Sequence, residues 1–360
     1  MKIVRIGEPK IVMANSESRH NYFAWPTVAR LQNGKIAVVA SGFRCRHICP
    51  FGKTVISYSE NDGETYTAPA PVIDTVLDDR DGGIVPFGEK GVIVTSFNNT
   101  VAFQRRYARS SYDLGYLDLI TPEAEQIALG STFRISNDCG VTFGKIHKSP
   151  ITSPHGPVEL PDGTLLWVGR TFSHENQKQI SDCIQAYRIN PDGSTAYVGE
   201  IENIKIGDAD TLSCEPHAII LDDGAILTHI RVQSMGGEKL FTIYQSESHD
   251  NGKTWTKPKP VLPRLGGSPP HLFKHSSGML ICTYGYREVP FGIKAMFSSD
   301  GGKTWDIGND IYVNNVNGDL GYPSTIELKD GSLLTVFYAH QGEGQPAVIM
   351  QQKWRFENEI

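Results

Sequence analysis

The chain has 360 residues, of which 39% are hydrophobic, and a formal net charge of −6. This hydrophobic content is ample for a large core, and the 36 glycines and 21 prolines indicate a turn-rich globular protein. The negative charge gives no reason to expect nucleic acid or an anionic membrane as a partner. No apolar run is long enough to span a bilayer, and residues 1–9 contain no secretory hydrophobic segment, so we expect a cytoplasmic protein.

Six times along the chain, an apolar strand leads through a tight turn into a second apolar strand. Four of the turns read Leu-x-Asp/Asn-Gly, and two are looser versions of the same pattern. In chain order they lie at residues 31–34, 87–91, 160–163, 221–224, 273–278 and 328–331. A pattern that returns at a period of roughly 50 to 60 residues predicts an array of similar structural units.

A second repeat, Ser-x-Asp-x-Gly-x-Thr-Trp, follows four of these strand pairs. It stands complete at residues 248–255 and 298–305, ends in Phe143 in the copy at 136–143, and has Asn61 and Tyr66 as replacements in the copy at 59–66. The acidic or amide side chain bonds the backbone of the turn and the glycine takes positive φ, so each copy predicts a hairpin. The third unit keeps only Asn-Pro-Asp-Gly at 190–193, and the sixth has no copy.

Strand-turn-strand units with an added hairpin predict small antiparallel sheets of about four strands. Six such sheets in series predict an all-β protein with the architecture of a six-bladed β-propeller, formed by a single domain over residues 1–360. A strand within residues 2–13 is expected to complete the last blade and close the ring. Thr121 and Pro122 read as the start of the one expected helix, over residues 121–129 in an insertion of the second unit.

Polar residues gather where the inner strands of such a ring would open at one mouth. They are Arg44, Asp78, Asp79, Arg80, Asp81, His155, Arg170, Glu215, His217, Arg231, His271, Arg287, Asp319, Tyr322 and Tyr338. A ring of arginine, histidine, carboxylate and tyrosine suits an anionic, hydroxyl-rich ligand such as an acidic sugar. The six scattered cysteines read as free thiols, and the repeat spacing alone accounts for the three histidines, so we predict neither a metal nor another cofactor.

The Ser-x-Asp-x-Gly-x-Thr-Trp copies resemble the Asp-box, or BNR repeat, of the sialidase superfamily, and the resemblance runs from about residue 21 to 338. The stretch from Glu215 to Arg231 resembles the sialidase segment with the carboxylate partner of the nucleophile and one arginine of the substrate-binding triad. The segment around Tyr322 resembles the one with the tyrosine nucleophile. Arg287 lies near the position where the family pattern has another triad arginine, but its offset from the following Asp-box is not the usual one. The segments 267–271, 283–287 and 319–322 together resemble a group of bacterial sialidase-like proteins.

The resemblance implies a specific division of labour between Tyr322 and Glu215. The carbon that sialidases attack already bears a carboxylate, so a neutral phenol replaces the usual carboxylate nucleophile. A phenol has an unperturbed pKa of about 10 and needs an adjacent base, which the resemblance assigns to Glu215. Arg231 and Arg287 would bind the substrate carboxylate through paired hydrogen bonds.

Two positions depart from the sialidase pattern. Ala24 stands where the first triad arginine is expected, and the loop at 42–50 lacks the usual acid/base aspartate. Asp79 or Asp81 is the nearest replacement for the aspartate. The arginines that could replace the missing one are Arg80, Arg44 and Arg46.

The sequence therefore predicts an exo-acting glycoside hydrolase on a terminal acidic or unusual sugar, with a carbohydrate as its partner. The remaining predicted substrate contacts are Arg80, Arg44, His155, His217, His271, Asp319 and Tyr338. Two other functions stay open. One is a carbohydrate-binding propeller without catalysis, which the two departures would explain. The other is a uronate polysaccharide lyase that uses Tyr322 or a histidine as its base.

Overall fold

A computed structural model describes residues 1–172, 181–207, 210–314 and 316–357, and it confirms the predicted six-bladed β-propeller. The first strand, β1 (Lys2–Met13), belongs to the last blade. The first blade comprises β2 (Tyr22–Arg30), β3 (Ile36–Arg44), β4 (Lys53–Ser59) and β5 (Ala70–Ile73). The second comprises β6 (Arg80–Phe87), β7 (Gly91–Phe97), β8 (Ser131–Ser136) and β9 (His147–Ser149), with the helices α1 (Val101–Tyr107), α2 (Ser111–Asp118) and α3 (Pro122–Ala128) inserted between β7 and β8.

The other four blades follow the same order from inside to outside. The third comprises β10 (Ile151–Thr152), β11 (Val158–Glu159), β12 (Leu165–Thr171), β13 (Ile184–Ile189) and β14 (Thr195–Ile201). The fourth comprises β15 (Asp210–Ile220), β16 (Ile226–Gly236), β17 (Phe241–Ser248) and β18 (Lys259–Pro260). The fifth comprises β19 (Pro270–Lys274), β20 (Leu280–Tyr286), β21 (Phe291–Ser298) and β22 (Asp306–Asn314). The sixth comprises β23 (Gly321–Glu327), β24 (Leu333–His340) and β25 (Ala347–Glu357), with β1 as its outer strand.

The two ends of the chain close the ring, as the sequence predicted. β1 pairs antiparallel with β25, from Lys2 opposite Glu357 to Met13 opposite Ile349, with a register shift between Ile6 and Lys10. The outer strand of the sixth blade thus comes from the start of the chain. No hairpin is needed between its third and fourth strands, which explains why the sixth unit lacks an Asp-box.

Each sheet buries both of its faces because it packs against a neighbouring blade on either side. In β3, Val38 belongs to an apolar cluster with Val336 of the sixth blade, while Val39 packs with Ile84 of the second. Strands buried on both faces read as almost continuous apolar runs instead of alternating ones, as the sequence of β3 does.

The Asp-box hairpins have the predicted geometry. In the copy at 248–255, Asp250 accepts hydrogen bonds from the backbone N–H and the hydroxyl of Thr254 at 2.9 and 2.7 Å. Gly252 has φ 87° and donates its N–H to the buried hydroxyl oxygen of Ser248 at 2.9 Å. The same pattern of bonds returns around Asp138 and Asp300, so the repeat is a structural device of the outer hairpins.

We expect Ser248→Ala to lower the free energy of unfolding by about 1–3 kcal/mol, because the buried N–H of Gly252 loses its acceptor. Chemical denaturation measures this loss. Ser111→Ala, at an exposed position of α2, should change stability little and serves as the control. Equal stabilities of the two variants would contradict a structural role for the Asp-box serine.

The insertion in the second blade contains more helix than the sequence predicted. α3 is confirmed, with the hydroxyl of Thr121 capping the N–H of Ala124 and Pro122 in the first turn. α1 and α2 were not predicted. Among the described residues, no helix has the length and apolar character needed to cross a membrane. All six cysteines are free.

Candidate active site

Four inner strands break their register at the same level, and each break turns one side chain into the central mouth. The residues at these breaks are Trp25, Asp81, Glu215 and Tyr322, with φ values of 55°, 48°, 49° and 47°. Non-glycine residues at positive φ are rare and costly, and bulges of this kind cluster where a side chain must be aimed at a functional site.

All four of these residues line one cavity of about 600 Å³ at the mouth of the ring. Four arginines share its wall: Arg80, Arg170, Arg231 and Arg287. Because Asp81 and Glu215 are the only carboxylate residues on the described wall, cationic groups outnumber anionic ones. The cavity is therefore suited to an anionic ligand.

The predicted contact between Tyr322 and Glu215 is present at the centre of this cavity. The Tyr322 hydroxyl donates to Oε1 of Glu215 at 2.6 Å. A guanidinium nitrogen of Arg231 donates to Oε2 of Glu215 at 2.5 Å and to the Tyr322 hydroxyl at 3.2 Å. The second terminal nitrogen of Arg231 bonds Gln233, so three groups from two distant blades form one hydrogen-bonded unit.

Burial and charge set opposite protonation preferences for the two partners. Burial, together with the Glu215 carboxylate, raises the pKa of Tyr322 well above that of a free phenol. Burial also favours a neutral Glu215. The charge of Arg231 and the hydrogen bonds to Glu215 outweigh that effect and hold the pKa of Glu215 below its usual value. At neutral pH the pair is therefore a neutral phenol hydrogen-bonded to a carboxylate.

Arg287 lies on the same wall and is held by the sixth blade. Its Nε donates to the carbonyl of Leu320 at 3.1 Å, and a terminal nitrogen donates to the Tyr338 hydroxyl at 3.4 Å. Tyr338 in turn donates to Asp319 at 3.0 Å. Tyr338 is fully buried and Asp319 lines a neighbouring cavity of about 700 Å³, so the prediction that both contact a ligand beside Tyr322 is corrected: they orient Arg287.

Trp25 occupies the place in the first blade where an arginine was missing. Ala24 is buried, and the Trp25 ring next to it lines the cavity with the Arg80 guanidinium at 4.1 Å from its centroid. The predicted ligand contact of Arg44 is wrong, because this side chain is fully buried in a 2.5 Å ion pair with Asp78. Arg46 pairs with Asp113 at the start of α2. Of the three suggested replacements, only Arg80 lines the cavity.

The two aspartates suggested as acid/base are separated by their surroundings. The Asp79 carboxylate accepts bonds from the backbone and hydroxyl of Thr75 and from Asn98, and it does not line the cavity, so it is corrected to a structural residue. Asp81 lines the cavity, and its Oδ1 is buried with no hydrogen-bond partner among the described residues. Burial raises the pKa of Asp81 to about 6, against the opposing charge of Arg80.

The three predicted histidines lie together, but away from this cavity. His155, His217 and His271 have ring centroids 4.5–5.3 Å apart, and they line a cavity of about 430 Å³ that does not include Tyr322 or Glu215. Nδ1 of His217 and Nδ1 of His271 accept backbone N–H groups. The prediction that these rings contact the same ligand as Tyr322 is corrected. Among the described residues, no group of three or more His, Cys, Asp or Glu side chains could hold a metal ion.

The buried histidines predict a loss of stability in acid. Burial lowers the pKa of His217 to about 3 and lowers those of His155 and His271 as well. Below the unfolded-state pKa of about 6.5, the histidines of the unfolded chain are protonated, whereas these three stay neutral in the folded protein. Stability is therefore full above pH 6.5 and falls toward the folded pKa values, by up to about 1.4 kcal/mol per pH unit for each histidine.

Denaturant unfolding at a series of pH values measures this slope. His217→Asn, which keeps an acceptor for the Leu272 N–H, should flatten it, whereas His249→Asn at an exposed position should leave it unchanged. A slope in His217→Asn equal to that of the wild type would contradict the prediction.

Several residues on the cavity wall were not predicted as ligand contacts. They are Trp25, His47, Ile48, Phe97, Asn99, Phe103, Tyr107 and Gln233. Arg170, which the sequence placed among the polar residues at the mouth without a specific role, also lines the cavity. Phe103 and Tyr107 come from α1, which the sequence did not predict, so nothing in the pattern pointed to them.

A six-bladed propeller with Asp-box hairpins has the architecture of the sialidases. The chain belongs to the family described as BNR repeat-like domain, whose family model matches residues 119–336. This membership confirms the BNR-repeat resemblance drawn from the Asp-boxes. No curated protein matches the chain significantly in sequence.

Solved structures share the fold over almost the whole chain. A protein of unknown function from Dyadobacter fermentans is similar with a TM-score of 0.73 and 17% identity, over 99% of both chains. The NanB sialidase from Streptococcus pneumoniae is similar with a TM-score of 0.67 and 13% identity, over 96% of this chain and 70% of that one. The intramolecular trans-sialidase from Ruminococcus gnavus is similar with a TM-score of 0.63 and 13% identity, over 97% of both chains. At these identities the likeness shows the fold alone.

Proposed function

We propose that the protein is a retaining, exo-acting glycoside hydrolase of the sialidase-like type, which removes a terminal acidic sugar from a glycan. The observation that carries this proposal is the 2.6 Å hydrogen bond from the Tyr322 phenol to the Glu215 carboxylate inside an arginine-rich cavity. A nucleophile within hydrogen-bond reach of its base, which a third group orients, is the usual signature of covalent catalysis.

In the first step the Tyr322 oxygen bonds to the anomeric carbon of the sugar while the glycosidic bond breaks. Glu215 takes the phenolic proton, so the phenol gains nucleophilic character only as the bond forms. Asp81 gives its proton to the departing oxygen, and a neutral leaving alcohol results. In the second step Asp81 removes a proton from water, and the water oxygen bonds to the same carbon as the bond from Tyr322 to that carbon breaks. Glu215 returns its proton to the Tyr322 oxygen.

The protonation states fit this sequence of steps. The raised pKa of Tyr322 keeps the phenol neutral, so it approaches a carbon beside an anionic group without charge repulsion. The lowered pKa of Glu215 keeps that residue ready to accept a proton. With a pKa of about 6, Asp81 holds a proton in part of the molecules near neutral pH, as a general acid requires.

The arginines give the preference for an acidic sugar. Arg231 and Arg287 flank Tyr322, and Arg80 lies over Trp25 on the first blade, where Ala24 leaves no arginine. Guanidinium groups bind carboxylates through two parallel hydrogen bonds. Such paired bonds select an anionic sugar and also fix its orientation.

The test is the trapping of a glycosyl-enzyme intermediate. The protein is incubated with 2,3-difluorosialic acid and with the corresponding fluorinated glucuronate, and intact-mass spectrometry and peptide mapping locate any adduct. An adduct on Tyr322 supports the proposal, as does release of aryl alcohol from an acidic aryl glycoside. Binding of acidic sugars without adduct or release indicates a carbohydrate-binding propeller, and an absorbing unsaturated uronate product indicates a lyase. Either result would overturn the hydrolase.

A further inference from the structure

Arg170 differs from the three other arginines of the cavity in having no polar partner. Arg231 bonds Glu215 and Gln233, Arg287 bonds Leu320 and Tyr338, and Arg80 bonds His47. Within the part of the chain that the structure describes, the Arg170 side chain makes no hydrogen bond or ion pair to protein. Its five N–H donors are therefore available to a ligand.

The Arg170 guanidinium is nevertheless held in a defined orientation. It lies 4.3 Å from the centroid of the Phe172 ring, and that ring stacks on Phe97 with centroids 5.4 Å apart and an interplanar angle of 29°. A guanidinium with one face on an aromatic ring keeps its N–H edge free for in-plane hydrogen bonds. Phe97 also lines the catalytic cavity, so the stack fixes Arg170 at its wall.

A narrow side pocket of about 160 Å³ opens beside Arg170, between the third and fourth blades. Its wall includes polar groups from both blades: Thr152, Ser153, Arg170, Arg231 and Gln233. Pockets that enclose a whole drug-sized ligand measure about 300–1,000 Å³, so this smaller pocket suits a substituent of a ligand that is seated in the main cavity. It shares Asp81, Glu215 and Arg231 with the catalytic cavity, which places it next to the reacting pair.

We propose that Arg170 binds an anionic substituent of the substrate, a carboxylate or a sulfate ester, seated in this side pocket. The proposal rests on the proposed function only in that the main cavity takes a sugar. Two oxygens of a carboxylate or of a sulfate ester can accept parallel hydrogen bonds from the free edge of the guanidinium, and Thr152, Ser153 and Gln233 line the pocket and can donate further hydrogen bonds. Arg170 is thus a specificity-determining residue, and the third blade provides the cationic contact that Ala24 does not provide in the first.

Binding measurements test this subsite without any need for turnover. Isothermal titration compares four probes: D-glucuronate and N-acetylneuraminate for the carboxylate, D-glucose 6-sulfate for the sulfate, and D-glucose as the neutral reference. The probe set shows which of the two anions the pocket takes. The variants are Arg170→Gln and Arg170→Lys, with Arg188→Gln as the matched control, because Arg188 lies on the same blade and pairs with Asp162 outside the cavity.

We expect Arg170→Gln to weaken binding of the preferred anionic probe by at least about 10-fold relative to the wild type and Arg188→Gln. The affinity of Arg170→Lys for this probe should lie between those of the wild type and Arg170→Gln, since an ammonium group keeps the charge but cannot make two parallel hydrogen bonds. Unchanged binding in Arg170→Gln, or no binding of any anionic probe by the wild type, overturns the subsite. Loss of anion binding in Arg170→Gln without turnover by the wild type sustains the subsite and removes the hydrolase. Turnover with unchanged binding in Arg170→Gln does the reverse.

Discussion

Replacing Tyr322 by phenylalanine is expected to lower kcat on an acidic aryl glycoside by at least about 10³-fold, because in the proposed mechanism the substitution removes the atom that bonds to the sugar. The fold should persist. The ring of Tyr322 is 5% exposed and packs against Trp25 and Tyr338, and phenylalanine keeps that packing. Steady-state kinetics together with a thermal unfolding curve measure both expectations.

A second tyrosine provides the control for this substitution. Tyr312 lies on the outer strand β22, where its ring packs on Phe337 with centroids 4.7 Å apart. Tyr312→Phe should therefore keep wild-type turnover. Turnover by Tyr322→Phe within about 10-fold of the wild type would remove Tyr322 from the role of nucleophile, because residues in that role contribute far more.

The partnership of Tyr322 with Glu215 has its own consequence. Glu215→Gln removes the proposed base but keeps the shape of the side chain, so it should also lower kcat strongly. Groups that act as one unit show non-additive losses, so the double variant should be about as impaired as the worse single variant. Multiplied losses in the double variant would show that the two groups act independently of each other.

The ring of six blades could be predicted from the sequence because its repeats are local. An Asp-box such as 248–255 closes its own hairpin through bonds within four residues, so its residues define the turn wherever the rest of the chain lies. The closing strand was predictable for a different reason. A propeller leaves its last sheet one strand short unless the start of the chain fills the edge, and β1 does so.

The aim of individual side chains could not be predicted from the same pattern. Asp79 and Asp81 are two residues apart, and a regular strand would place both on one face. The positive φ of Asp81 and the register break after Arg80 abolish that alternation, so only Asp81 reaches the cavity. Such a bulge depends on the neighbouring strand, and the sequence of one strand does not reveal it.

Whether each of these arginines lines the cavity or is buried depends on the groups that surround it in the fold. Arg44 and Arg80 both read as candidates for the missing triad arginine. Asp78 lies 2.5 Å from the fully buried Arg44 and 3.6 Å from Arg80, but only Arg80 also stacks on Trp25 and lines the cavity. The different positions of the Arg44 and Arg80 side chains follow from the packing of the first blade against the second, which residue type and spacing do not specify.

Replacing Asp81 by asparagine is expected to lower kcat/KM by about 10²–10⁴-fold on substrates with a sugar leaving group, which needs a proton as it departs. The effect should be much smaller on an aryl glycoside with an acidic phenol, because that leaving group departs without protonation. Kinetics with both kinds of substrate therefore separate loss of the acid from general damage to the site.

The pH dependence of kcat/KM tests whether Asp81 acts as the general acid. Burial raises the pKa of Asp81 to about 6, so the residue is protonated below that pH and ionised above it. If Asp81 donates the proton, kcat/KM falls as the pH rises through about 6, and this descending limb disappears in Asp81→Asn. Asp79 provides a demanding control, since burial raises its pKa to about 7 although it lies off the cavity. We expect Asp79→Asn to keep the limb. A limb that survives in Asp81→Asn and vanishes in Asp79→Asn would exchange their roles, and would mean that the bulge at Asp81 serves binding instead of proton transfer.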